Sequence, residues 1–515
     1  MARGPLALGA AAVALGLAGL TLGTLAVVMA RAGGFAPAAA DWAAVRFTLV
    51  QAAISAACSV VLAVPVARAL ARRSFIGRGA LIVLMGAPFL LPVVVAIIGL
   101  LAIFGRMGPV NQLLAAMGLA PVSIFGLHGV VLAHVFLNLP LAVRMLLQGW
   151  QAIPAERLRL AASLDFGPGA MFRHLEGPML RAVLPGATLV IFLVCLTSFA
   201  VVLTLGGGPR ATNIELAIYQ AVRFEFDLSR AAGLAFVQFA LCLTVVALAG
   251  WLTIPTGFGA GLDRRPVIAA PGGLCRLGDG LVIALATLFL IAPLAAIALR
   301  GAPGLALLPA ATWPALGRSV LVAAVATVIS VSSALALALA VARLAPGRRL
   351  FEAAAMLPMA TSGLVLGTGL FLIVQPVFRV ESLAMPVTLL VNATMALPFV
   401  YRLILPQARA LQADYGRLAA SMGLVGWARL RWLVLPRLAR PIGFGAGLAA
   451  AMSMGDLGVV ALFAGTRGET LPLLISRLTA AYRIEAASGA ALLLTMASFT
   501  LFALCDWGGR RFAGS

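Results

Sequence analysis

The chain contains no lysine; all 37 of its basic residues are arginine. A nucleotide-binding loop of the GxxxxGK[ST] type needs a lysine to reach the phosphates, so this polypeptide carries none. Any ATP hydrolysis that drives it belongs to another chain. Cysteine is scarce: Cys58, Cys195, Cys242, Cys275 and Cys505 form no CxxC pair and lie mostly in apolar stretches. They read as small membrane hydrophobes, not as disulfides or metal ligands. Histidine is scarcer still. His128 and His134 stand six apart and share no helical face, since partners fall at i+3 or i+4; His174 falls in a loop. No metal site is expected. Charged residues make up only 10% of the chain, against about 25% in soluble domains, which excludes an ordinary soluble fold.

What is present is apolar: 63% of the 515 residues are hydrophobic, and the mean hydropathy is +1.09. A bilayer-crossing helix needs about 20 apolar residues, so a dozen spans and their loops would use most of the chain. Apolar runs fall near 6–30, 47–71, 80–104, 124–147, 183–205 and 231–254, and again near 279–300, 318–342, 352–376, 384–405, 441–464 and 486–506. The first run is too long for the apolar core of a signal peptide and reads as a retained helix. The fold class expected is therefore an all-α polytopic membrane protein of twelve helices.

The net charge of +21 would suggest nucleic acid in a soluble protein. Here it fits the arginine excess that holds loops on the cytoplasmic side, and no nucleic-acid partner is expected. With the N-terminus inside, about 25 of the 37 arginines fall in or beside the cytoplasmic loops 69–79, 148–182, 255–278, 343–351 and 406–440 and the C-terminal tail. An even number of spans returns the C-terminus to the same side. Residues 255–280, rich in proline and glycine and centred on Asp263-Arg264-Arg265, read as a linker between halves at 1–254 and 281–515.

The halves repeat at a constant spacing of 258 residues. Leu139-Pro140 recurs as Leu397-Pro398, Arg144 as Arg402, Pro178 as Pro436, and Arg159-Leu160-Ala161-Ala162-Ser163 as Arg417-Leu418-Ala419-Ala420-Ser421. Six spans separate the copies, so the repeat is parallel. Its best-preserved part is a polar loop between the fourth and fifth span of each half, about 148–182 and 406–440. Glu156–Leu164 and Asp414–Met422 have helical character, with an acid in the first turn to suit the helix dipole and Pro154 at the start of the first copy. Gly423 stands where a left-handed cap would close the second. Leu160 and Leu164, like Leu418 and Met422, share one face, and paired alanines keep a low profile for close approach. Such a helix suits a groove on another protein. An amphipathic helix resting on lipid headgroups is the blander reading, and a second copy at matching spacing weighs against it.

This loop resembles the EAA motif of type I ABC importer permeases, in which an acidic residue, paired alanines, a glycine and a downstream proline form a helix that docks on the ATP-binding subunit. Glu156, Ala161 and Ala162 match in the first copy, and Asp414, Ala419, Ala420, Gly423 and Pro436 in the second. The first copy departs at Asp165, which stands in place of the glycine; aspartate visits left-handed conformations more readily than most residues. The stretch from Ser198 to Gln220 resembles thiamine/thiamine pyrophosphate permeases of Gram-negative bacteria. The fused length agrees, and fused ferric-iron permeases share that layout. The resemblance implies an inner-membrane subunit, not an enzyme, that binds no cofactor itself. Two copies of an ATP-binding subunit would hold ATP and magnesium, a periplasmic binding protein would deliver thiamine, and the bilayer is the medium.

An ion-coupled carrier of twelve helices is the rival class, because such proteins also show parallel repeats. Carriers of that kind use ionisable residues within the membrane, and Asp456, opposite Ser198 in the repeat, is the clear carboxylate in a core here. Asp456 and Ser198 are candidates for the substrate pathway; Asp456 reads more simply as a cap on a broken helix beside Gly455 and Gly458. Gly206-Gly207-Gly208-Pro209 reads as a turn beneath a periplasmic surface helix, roughly 212–225.

Overall fold

A computed structural model of the chain describes residues 4–249, 273–343, 347–463 and 468–513. Every regular element among them is helical. Hydrocarbon offers no water to unpaired N–H and C=O groups, and a helix closes them within its own segment. Eleven helices are long and apolar enough to cross a membrane, and twelve if one bent pair counts as a span. The expected all-α, twelve-span polytopic class is what folds.

The spans are Gly4–Arg31, Ala39–Arg72, Val93–Phe104, Leu127–Gln151, Gly177–Leu196 and Leu228–Ala249, then Leu274–Gly304, Thr312–Arg343, the bent pair, Ala384–Ser421, Leu435–Met454 and Ile484–Ala513. The third run, expected as one helix over 80–104, is instead broken before Pro92; short pieces cover Arg78–Leu90 and the long helix begins at Val93. The bent pair in the second half has the same design. Arg348–Ala360 meets Gly363–Val374 at 91°, and the Ser362 hydroxyl accepts the Val365 N–H at 3.0 Å to cap the restart. The preceding helices both begin after a left-handed glycine, Gly77 at φ 91° and Gly347 at φ 80°.

Residues 255–272 of the expected linker lie outside the described residues, but 274–280 open the seventh span as helix.

Packing divides the chain differently from its repeat. One compact unit comprises 1–41, 214–243 and 302–515; the other comprises 42–213 and 244–301. In the first, the opening span packs on the second half's helices, so closely that a Cβ on Gly369 would stand 2.6 Å from Thr24. In the other, the seventh span packs on the first half. A Cβ on Gly99 would meet the Pro293 carbonyl at 2.8 Å, and Phe289 sits edge-on to Phe136 with centroids 5.8 Å apart. Small residues at these crossings permit the close backbone approach that drives helix association in lipid. Each unit thus takes its outlying first helix from the other half of the sequence.

Candidate functional site

The twin loops begin differently. In the first, the fourth span ends at Gln151 and a separate helix, Ala155–Ser163, follows Pro154 at φ −58°, ψ 136°. Proline has no N–H for the helix ladder and biases Ile153 out of the helical region. The repeat places Gln412 at that position, and there the helix does not stop: Ala384–Ser421 runs unbroken for 38 residues, about 57 Å at 1.5 Å per residue. The second copy, expected as a short helix over Asp414–Met422, is therefore the extended end of the tenth span. Gln412 accepts a hydrogen bond from the Arg429 guanidinium at 2.8 Å instead.

Both loop helices close alike. Asp165 takes φ 51° and Gly423 φ 65°. The Phe166 N–H reaches the Ala161 carbonyl at 3.0 Å and the Asp165 N–H the Ala162 carbonyl at 3.2 Å; Leu424 to Ala419 and Gly423 to Ala420 repeat these at 2.9 and 3.2 Å. This is the paired bonding of a Schellman turn, formed once on glycine and once on aspartate. The first alanine of each pair, Ala161 and Ala419, is buried, while Ala162 and Ala420 are exposed together with Glu156 and Asp414. Leu160 and Leu164 stand 60% and 59% exposed, and Leu418 and Met422 55% and 66%. Each loop thus presents two bare apolar side chains beside an acid.

The return limbs also match. Each passes through one π turn, Phe172–Glu176 and Leu430–Val434, in which the Gly177 and Leu435 N–H groups reach back five residues to the Phe172 and Leu430 carbonyls. Pro178 and Pro436 follow at once. A proline cannot donate to the carbonyl four residues back and its ring crowds that group; a widened turn relieves the clash.

Farther along, both fifth spans break, where one apolar run had been expected over 183–205. Gly177–Leu196 stops, Thr197–Phe199 are non-helical, and Ala200–Leu205 resumes; Leu435–Met454 likewise gives way to Gly458–Phe463. Ser198 and Asp456 sit at the breaks. The Ser198 hydroxyl lies 2.8 Å from His134 Nε2, whose Nδ1 lies 3.1 Å from the Ser55 hydroxyl, and the Ser198 carbonyl accepts from Asn213 at 2.6 Å. In the second half Asn392, the repeat counterpart of His134, donates to the Ser453 hydroxyl at 3.0 Å. The Asp456 carboxylate accepts the N–H groups of Gly458, Val459 and Val460, so it caps the resumed helix. A polar side chain on the fourth span of each half therefore fastens the broken fifth span beside it. Sequence reading weighed His134 only as a metal ligand; the matched polar positions 134 and 392, each inside an apolar run, were the signal that pointed to this role.

One buried carboxyl was missed. The helix Ile214–Gln220 was expected on the surface, but Ile214, Leu216, Ala217 and Ile218 are buried and Glu215 is only 1% exposed. Ser362 and Gln238 hydrogen-bond to its carboxyl. Ser362 is the cap of the bent ninth span. Phe224 and Phe226, by contrast, are exposed, and Tyr219 stands edge-on to Phe224 at 5.7 Å.

A duplicated all-α membrane bundle, with an exposed loop helix and a fastened helix break repeated in each half, defines a transport permease with its two halves fused. No family model matches the chain. It is 39% identical over 483 residues, 90% of this chain and 88% of the other, to the thiamine transport system permease protein ThiP of Salmonella typhimurium. It is 36% identical over 496 residues, covering 94% and 91%, to its namesake in Brucella abortus. A 174-residue stretch, 34% of this chain, is 34% identical to 76% of the molybdenum transport system permease protein ModB of Azotobacter vinelandii. The chain belongs to the family of thiamine transport system permease proteins.

Proposed function

We propose that this chain is the membrane-spanning subunit of an ATP-driven importer that moves thiamine or thiamine pyrophosphate from periplasm to cytoplasm. It sits in the bacterial inner membrane with both termini in the cytoplasm, as the arginine-rich loops favour. Two copies of a separate subunit bind ATP and magnesium, and each docks on one loop: one against Leu160 and Leu164 with Glu156, the other against Leu418 and Met422 with Asp414. A periplasmic binding protein presents the substrate and supplies most of the selectivity. The chain itself performs no covalent chemistry.

The matched geometry of the twin loops is the observation that carries this reading. Two exposed apolar residues beside an acid, ended by the same left-handed turn, recur on sequences that differ at the cap. A lipid-resting helix needs no such turn, whereas two identical partner grooves require the same shape twice. Nucleotide-driven movement of the partners would then bias the permease between outward- and inward-open states, by as much as their binding differs between the two.

Uptake of labelled thiamine into proteoliposomes holding this chain, its ATP-binding subunit and a thiamine-binding protein tests the proposal. Uptake that requires ATP and both partners is expected. ATP-driven uptake of ferric iron instead would keep the class and remove the substrate; uptake on an ion gradient without the ATP-binding subunit would remove both.

A further inference from the structure

Where the first loop returns to the membrane, a carboxylate is held between two arginines. Glu176 closes the π turn Phe172–Glu176 and is 1% exposed. Its Oε2 accepts from Arg68 Nε at 2.9 Å and lies 2.7 Å from Arg68 Nη2, while its Oε1 accepts from Arg72 Nη2 at 2.8 Å. Arg68 also lies over the Phe172 ring, 5.5 Å from the centroid. Both arginines belong to the last turns of the second span, Ala39–Arg72. The next residue, Arg73, pairs with Asp279 of the seventh span at 2.6 Å. Among the described residues the return limb of the second loop has no such clamp; on its entry limb Arg409 pairs with Glu352, which also bonds Arg348, and these side chains are partly exposed. The repeat counterpart of Glu176 is Val434, fully buried among Leu337, Ala338, Leu397, Ile404 and Leu438.

These contacts resist movement differently. Apolar packing is non-directional, so Val434 ties its limb to no single neighbour. A buried carboxylate shared by two guanidinium groups is directional, and displacing it leaves a buried charge without its partners. The entry limbs differ in the opposite sense: the first is jointed at Pro154, while the second continues the tenth span without a break.

We propose that Glu176 is the positioning residue through which the first loop moves the second span, the second loop acting instead through its unbroken entry helix. The inference rests on the docking reading given above. Pushed by its partner, the helix Ala155–Ser163 swings at Pro154 and carries the π turn, and the clamp turns that swing into displacement of Ala39–Arg72. Glu176 touches no substrate; it sets how much of the partner's movement arrives.

The experiment uses the complete transporter in proteoliposomes and reads three quantities together: retention of the ATP-binding subunit, ATP hydrolysis, and thiamine imported per ATP consumed. Glu176→Gln keeps the shape and one acceptor but removes the charge. It is expected to retain the subunit and hydrolyse ATP at near-normal rate while transport per ATP falls by about twofold to thirtyfold, the range of coupling changes from residues between sites. Exchanging the charges, Arg72→Glu with Glu176→Arg, should recover part of the loss, which a purely steric role would not. Unchanged transport per ATP in Glu176→Gln overturns the inference. So does loss of the subunit from that variant, since the clamp would then support docking and transmit nothing. Leu160→Glu, run alongside, addresses docking by itself and should shed the subunit. Retention there with normal transport would sink the docking reading and the clamp with it. Shedding there with an unaffected Glu176→Gln sinks the clamp alone.

Discussion

Replacing Gly423 by valine puts a β-branched side chain on a residue held at φ 65°. A Cβ there meets no atom within 4 Å, so the whole penalty lies in the backbone. The left-handed region costs an ordinary L-residue about 1–2 kcal/mol, and a β-branched residue is a genuine outlier there. At 1.36 kcal/mol per factor of ten, the native turn falls about tenfold or more relative to its alternatives. The loss reaches the carbonyls of Ala419 and Ala420, which accept the closing bonds from Leu424 and Gly423. Leu418 and Met422 then no longer present a fixed pair. Gly423→Val should abolish ATP-driven uptake while the chain inserts normally and elutes as a monodisperse species in detergent. Gly423→Asn, whose side chain tolerates this conformation, should keep most of the activity. At Asp165 the valine change should be milder, because the native residue already bears part of the cost at φ 51°. Uptake is the assay, with pull-down of the ATP-binding subunit as the second readout. Normal uptake by Gly423→Val would refute the reasoning, as would equal damage from asparagine and valine.

Three other perturbations separate the elements of the site. His134→Asn should keep more thermal stability in detergent than His134→Phe, because phenylalanine strands the Ser55 and Ser198 hydroxyls at about 1–3 kcal/mol for an unmet buried group; equal melting would remove His134 as the fastener of the break. Glu215→Gln, which keeps the shape and the hydrogen bonding with Ser362 and Gln238, should melt higher in detergent than Glu215→Leu, which strands both partners. Equal melting of the two variants would show that the polar contacts of Glu215 do not hold this segment. Pro154→Gln should fuse the fourth span to Ala155–Ser163, and Gln412→Pro should separate the tenth span from its end; distances between spin labels on each pair of segments read both, and unchanged distances in either variant refute proline as the cause of the difference.

The spans were legible because lipid demands an apolar face all round a helix, a demand that composition alone reports. The breaks were not. Thr197-Ser198-Phe199 and Gly455-Asp456-Leu457 interrupt runs whose hydropathy hardly changes; a side chain of the fourth span fastens each fifth span at or just before its break, His134 to Ser198 and Asn392 to Ser453, and Asp456 caps the second restart. The left-handed turn at Asp165 was readable from its position against Gly423, since a fixed repeat transfers geometry where residue type alone would not. The extended tenth span was present in the sequence as an absence, a glutamine where the other copy has proline. Glu215 was hidden because its helix is short and flanked by glycine and exposed phenylalanines, the pattern of a surface segment. Which half each outlying first helix joins, through Gly99 and Gly369, was beyond reading: hydropathy records that a helix meets lipid, not which bundle it lies against.

The two copies of the loop agree in their exposed ends and differ in their limbs. The exposed helix ends and the closing turns agree to within 14° in φ at Asp165 and Gly423, and the π turns fall on the same repeat positions. The limbs do not agree. The first loop is jointed on entry at Pro154 and clamped on return by Glu176, while the second is continuous on entry through Gln412 and packed on apolar surface at Val434. A loop fastened rigidly on both limbs could not swing, and one slack on both would pass nothing on. Each copy instead has one stiff limb, and the stiff limbs are opposite. In two identical chains the repeat would force the same limb to be stiff twice. One polypeptide lets each loop keep its own: the return limb at Glu176 in the first copy and the entry limb through Gln412 in the second.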